Sequence, residues 1–292
     1  MEFREAVKSG RFLVTAEVGP GKGTDIKELL EDADLLGDKV DAINVTDLQS
    51  SVMRLGSMAV SHILADRGIE PVYQLTCRDR NRLALQSDLL SAWVLGIKNV
   101  LALTGDHPVM GDHPEAMPVF DLDSVSLLKV IASLNNGQDL AGNELNGRPD
   151  FYPGAVVNPG ADSGAGLEMQ IIKLEKKIEA GAEFIQTQGV FDLDVFEKFM
   201  KRVDRLGVPI LGGVIMLKSA GMAKFMNKNV AGIAVPEAQI KAMAETEDKV
   251  KTSVKIASEL IKGMKDMCRG VHIMAIGWEK KIPMVLEEAG LR

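Results

Sequence analysis

Several short apolar runs in this 292-residue chain end in residues that could do chemistry. FLVTAEV ends in Glu17 with GPGKG behind it, NVTD in Thr46 and Asp47, and QLTC in Gln74, Thr76 and Cys77. LALTGDHP breaks into Thr104, Gly105, Asp106 and His107; VVN reaches Asn158, and IQTQG offers Gln186, Thr187 and Gln188. A carboxyl after an apolar strand suits a general acid, and amides beside carboxylates suit a flat heterocycle with both donors and acceptors. The runs ending near Met216 and Ile276 are much less polar, so the inventory is lopsided and fits a planar, partly apolar ligand.

Bland readings stand beside these. Glu17 reads equally as a solvated loop acid, and Asp106 as a cap, although Asp123 is better placed to cap the helix starting DSVSLL. GPGKG matches neither the Walker pattern nor GxGxxG. His107 and His113, with Asp106 and Asp112, lack a helical HxxxH face for metal. His62 falls in a helical run and His272 in a strand run, both read as structural. Lys173 and Lys177, one helical turn apart, read from spacing alone as a solvated face.

The elements that must position these groups alternate. Strands are expected at 12–18, 41–47, 71–77, 99–105, 152–158, 184–190, 209–217 and 271–277. The segments between have helical spacing, as at Leu29, Ala33 and Leu36, at Leu83, Leu90 and Val94, and at Leu167, Ile171, Leu174 and Ile178. Helix ends are expected at Gly68, Gly96, Gly181 and Gly207. Eight strand–helix units favour an α/β fold, a single (β/α)8 TIM barrel over residues 1–292, whose ligands bind at the C-terminal ends of the strands. Residues 235–247 read as an extra helix after strand seven, and 135–150 as an exposed loop.

A net charge of −7 argues against a nucleic-acid partner, and no apolar stretch is long enough for a membrane span. Charges in MEFREAVKSGRFLV leave no signal-peptide core, so a cytoplasmic protein is expected. The two cysteines, Cys77 and Cys268, provide neither a disulfide framework nor the ligands of an iron–sulfur cluster; redox chemistry would need an organic cofactor.

QLTCRD (74–79) and GIKNVLALTGDHP (96–108) resemble the LTC and ALxGD segments of the flavin-dependent methylenetetrahydrofolate reductases. FLVTAEVGP resembles their first strand with its glutamate, NVTD the second strand, and EAGAEFIQTQGVFD the segment with the TQ pair. The resemblance implies reduction of 5,10-methylenetetrahydrofolate to 5-methyltetrahydrofolate by hydride from reduced flavin. It makes Glu17 the general acid toward folate N10, Asp106 the carboxylate between flavin and pterin, and Gln188 the pterin-binding amide. It places flavin contacts at Thr46, Gln74, Gly105, Asp106, Asp121, Asn158 and Lys177. FAD is the family's common flavin, although FMN would meet the same ring contacts, and an oligomer is expected.

Gln74 stands where the family often has histidine, Thr104 where it often has arginine, and Gly189-Val190 where NADH-using members have an aromatic pair. HIMAIGWE replaces an aromatic-rich segment. These departures remove stacking surface and leave two electron donors in play, NAD(P)H or a redox partner subunit. A competing reading is a flavin-free pterin barrel that passes a methyl group to a corrinoid protein; a third is a non-catalytic scaffold.

Overall fold

The computed structural model describes residues 1–160 and 164–291. Its eight parallel strands are β1 (Leu13–Val18), β2 (Ala42–Val45), β3 (Pro71–Thr76), β4 (Asn99–Leu103), β5 (Tyr152–Val157), β6 (Phe184–Gly189), β7 (Ile210–Ile215) and β8 (Gly270–Met274). They pair in chain order, and β1 closes on β8 with Leu13 opposite Gly270 and Thr15 opposite His272. The chain forms a closed (β/α)8 TIM barrel. Strands covered on both faces need near-continuous apolar sequence, and all six residues of β1 and of β7 are buried.

A short helix, α1 (Phe3–Lys8), precedes the barrel. Helices α2 (Lys27–Leu36), α3 (Ser57–Asp66), α4 (Arg82–Val94), α5 (Ser124–Asn135), α6 (Gly164–Glu179) and α7 (Leu193–Val203) follow the first six strands. Three helices, α8 (Ala220–Asn229), α9 (Glu237–Glu245) and α10 (Lys249–Met264), lie between β7 and β8, and α11 (Ile282–Glu288) follows β8. The glycines at 68, 96, 181 and 207 all have positive φ, as expected of left-handed helix ends. Asp123 caps α5 by accepting from Ser126 N at 2.8 Å.

One helical face differs from the expected one. Leu83, Leu90 and Val94 of α4 are 74%, 37% and 83% exposed, and Leu85, Leu89 and Ala92 face the core instead. This helix carries apolar residues on two faces, so period alone could not choose between them.

Inside the barrel the N-terminal end is floored by apolar side chains. Leu13, Ala42, Val72, Leu101, Tyr152, Phe184 and Leu211 cluster against Phe3, Ala6 and Val7 of α1. Gly154 makes room for the Phe184 ring, which would lie 2.2 Å from any Cβ there. Two residues further along their strands, Thr15, Asn44, Gln186 and His272 form a buried polar layer beneath the mouth. No helix among the described residues is long and apolar enough to cross a membrane.

Candidate active site

The polar layer is a connected chain of hydrogen bonds. Asn44 and Gln186 exchange amide bonds at 2.8 and 3.1 Å, and Gln186 Nε2 donates to Thr15 Oγ1 at 3.4 Å. Thr15 Oγ1 lies 3.0 Å from His272 Nδ1, and His272 Nε2 lies 3.6 Å from Glu17 Oε2 at the top of β1. Residues from β1, β2, β6 and β8 thereby fix the ring orientation of a buried histidine whose other nitrogen faces the Glu17 carboxyl. Such an arrangement can orient a carboxyl and move a proton to or from it. His272 lies in β8 as expected, and its Nε2 sits against the candidate acid. Asn44, Gln186 and Thr15 were not singled out together. Their signal was present in the sequence as polar residues inside otherwise apolar strands.

Glu17 is 7% exposed and lines a cleft of about 660 Å³ between the β1 and β8 loops, with Gly19, Gln49, Arg54, Ile276 and Trp278. Gly105 lines a second cleft of about 570 Å³ with Thr104, His107, Phe120, Asp121 and Asp123. Gly105 has φ +90°, and a Cβ there would come within 3.1 Å of Arg78 Cβ and 3.2 Å of Thr76 Cβ, so the backbone lies close against β3. Thr46 is buried with its Oγ1 lacking a hydrogen-bond partner among the described residues. Gln74 is half-buried on β3, and its carbonyl accepts from Ser57 Oγ at 3.0 Å.

Asp106 is exposed on the rim; its carbonyl accepts from Ser51 Oγ at 2.8 Å, and its carboxylate has no protein partner among the described residues. Asp121 binds Arg82 through both oxygens at 2.9 Å, and these bonds, with one from Arg82 N, lower its carboxyl to about 2. The Gln188 Oε1 accepts from Gly189 N at 3.0 Å. Glu17 and Gln188 are on β1 and β6, with β7 and β8 between them around the barrel.

Asn158 clasps the loop after α8: its Nδ2 donates to Ala231 O at 2.8 Å, and its Oδ1 accepts from Gly160 N. Lys177 turns inward from α6 and donates to Val156 O at 2.7 Å. Burial holds its ammonium below the usual lysine range, with Lys173 adding to the depression and Asp123 opposing it. Neither residue is a solvated surface group. Cys77 is a poor nucleophile, since burial pushes its thiol up to about 12. Asp47, which sequence reading left without a role, is fully buried and accepts from Arg80, Thr76 N and Thr76 Oγ1, tying β2 to β3 behind the mouth.

The chain is thus a closed (β/α)8 barrel with a buried acid–histidine pair and two clefts at the C-terminal strand ends, the face at which proteins of this class bind their ligands. The model of the methylenetetrahydrofolate reductase family matches residues 2–290, and the chain belongs to that family. The 5,10-methylenetetrahydrofolate reductase of Pectobacterium carotovorum subsp. carotovorum is 29% identical over 204 residues, covering 69% of this chain and 62% of that protein. Methylenetetrahydrofolate reductase 2 of Schizosaccharomyces pombe is 25% identical over 232 residues, 74% of this chain and 35% of its own length. The match thus spans less than two thirds of either relative. Among solved structures, a Clostridium thermocellum protein described as binding two copies of 5-methyl-5,6,7,8-tetrahydrofolic acid superposes with TM-score 0.63 over 98% of this chain and 97% of its own, at 15% identity. That likeness is one of fold.

Proposed function

We propose that this chain reduces 5,10-methylenetetrahydrofolate to 5-methyltetrahydrofolate with a bound flavin. The observation that carries the reading is the buried chain from Asn44 to His272, which delivers an oriented imidazole to Glu17 at 3.6 Å. Three features of the mouth support a flavin: Thr46 holds an orphaned buried hydroxyl, Gly105 lines the second cleft with its φ +90° backbone packed close against β3, and Lys177 offers a desolvated cation to a phosphate. Gln74, Asp121 and Asn158 complete the proposed contacts, Asp121 and Asn158 through whatever bonding capacity their protein partners leave. When bound there, a flavin would supply hydride chemistry toward the one-carbon unit of the folate.

The protein's own residues handle the protons and the geometry. Opening of the imidazolidine ring leaves electron density on N10, and Glu17 donates a proton there. His272, fixed by Thr15 at Nδ1, orients the Glu17 carboxyl through Nε2. The Asp106 carboxylate accepts hydrogen bonds from the pterin and stabilises the cationic iminium. The Gln188 amide reads the pterin edge from β6.

Electrons come from NAD(P)H or from a redox partner subunit. The test is to purify the chain, identify the released flavin by mass, and mix the oxidised protein anaerobically with NADH. Rapid bleaching removes the need for a partner subunit, and the mass separates FAD from FMN. A second reading, the flavin-free pterin barrel that methylates a corrinoid protein, draws on the folate-binding Clostridium neighbour. Protein that releases no flavin on denaturation replaces the first reading with the second.

A further inference from the structure

All five non-glycine residues with positive φ among the described residues lie in loops at the mouth: Leu48, Ser50 and Ser51 after β2, Phe120 after β4 and Ile276 after β8. Such backbone persists only where its surroundings hold it, and it concentrates at functional sites. Three of the five crowd into residues 48–51, and the bonds that hold them lead to one place.

Ser51 Oγ donates to the Asp106 carbonyl at 2.8 Å. Arg78 Nη1 donates to Ser51 Oγ at 3.2 Å, and its Nη2 to Leu48 O at 3.4 Å. The Arg78 side chain is 3% exposed and paired with Asp79 at 2.8 Å. On the far side, Gly111 presses so close that a Cβ would lie 1.8 Å from Ser51 O. Met53 N donates to Asp112 Oδ1 at 2.9 Å, and Asp112 pairs with Lys22. The β2 loop is therefore a strained strap laid across the β4 loop and clamped at both ends.

We propose that Ser51 and Arg78 are positioning residues for Asp106. The strap pins the Asp106 backbone so that a carboxylate with no protein partner of its own stands at one place on the rim. Without the strap, an exposed loop aspartate would have to be ordered by the ligand, and affinity would fall by that ordering cost. The functional half of this inference rests on the reading of Asp106 as the pterin-binding carboxylate; the mechanical half does not.

The test uses the purified full chain with two readouts: deuterium exchange of peptides spanning 104–112, and calorimetric affinity for 5-methyltetrahydrofolate. Ser51→Ala removes only the hydroxyl; Arg78→Lys keeps the charge and loses the fork. Both are expected to speed exchange in 104–112 and to weaken folate binding about three- to tenfold, the scale of one lost hydrogen bond. Asp106→Asn weakens binding too, and Ser51→Ala added to Asp106→Asn costs nothing more. Unchanged exchange in Ser51→Ala overturns the proposal, and so does an equal loss of affinity with and without Asp106→Asn. Faster exchange in a chain that binds no folate supports the strap and sinks the folate reading of Asp106.

Discussion

Two layers of the same barrel interior, two residues or about 7 Å apart along the strands, are built on opposite rules. The lower layer is held by packing. Phe184 stacks on Tyr152 at 5.2 Å and meets Phe3 edge-on at 5.3 Å, closing the barrel floor with packed rings, and the one phenol among them donates outward to Glu183 O at 3.3 Å. The upper layer is held by hydrogen bonds from Asn44 through Gln186 and Thr15 to His272, a buried network that adds orientation rather than burial energy. The contrast separates two jobs inside the barrel: below, packing that closes the floor; above, hydrogen bonds that orient the side chains beneath the mouth.

The largest break in that comparison is expected in the floor. Phe184→Ala should cost about 3–5 kcal/mol in urea unfolding while the folded fraction retains its folate chemistry. A loss below ~1 kcal/mol would mean the floor does not hold the barrel together. His272→Leu should do the reverse, lowering single-turnover folate reduction about a hundredfold with a smaller effect on unfolding. A turnover rate like that of the unaltered chain would return His272 to a structural role.

Lys177 sharpens the comparison at the rim. Because burial depresses its ammonium, the charge is carried at a penalty below that depressed value, and a bound phosphate would relieve the penalty. Flavin affinity should fall as pH rises through the depressed lysine value, where the cation is lost. Lys177→Met should bind about tenfold more weakly at neutral pH and show no such fall. A matching pH profile in both proteins would remove Lys177 from the site. The smallest effect is expected outside the barrel: Val94→Lys should change stability by no more than about 0.5 kcal/mol, as its 83% exposure requires.

The barrel was legible because strands buried on both faces show as apolar runs and helix ends show as glycines. FLVTAEV and PILGGVIML each contain the strand found there. Glu17, Gly105 and Asp106 were legible as strand-end residues. The α4 face was not, because Leu83, Leu90 and Val94 keep helical spacing as well as the buried set does. The placing of His272 against Glu17 was not legible for a different reason: Thr15 and Glu17 are more than 250 residues away in sequence, and only the closure of β1 on β8 brings them together. The strap was invisible because LQSS contains no glycine or proline to announce left-handed backbone.

The central claim is that Glu17 supplies the proton for a flavin-to-folate hydride transfer. Its most direct test is anaerobic mixing of the reduced protein with 5,10-methylenetetrahydrofolate, following flavin reoxidation and 5-methyltetrahydrofolate together. One product per flavin reoxidised is expected in the unaltered chain, and a rate about 10²–10⁴-fold lower in Glu17→Gln. An equal rate in Glu17→Gln, or product formed by protein that carries no flavin, would contradict that expectation.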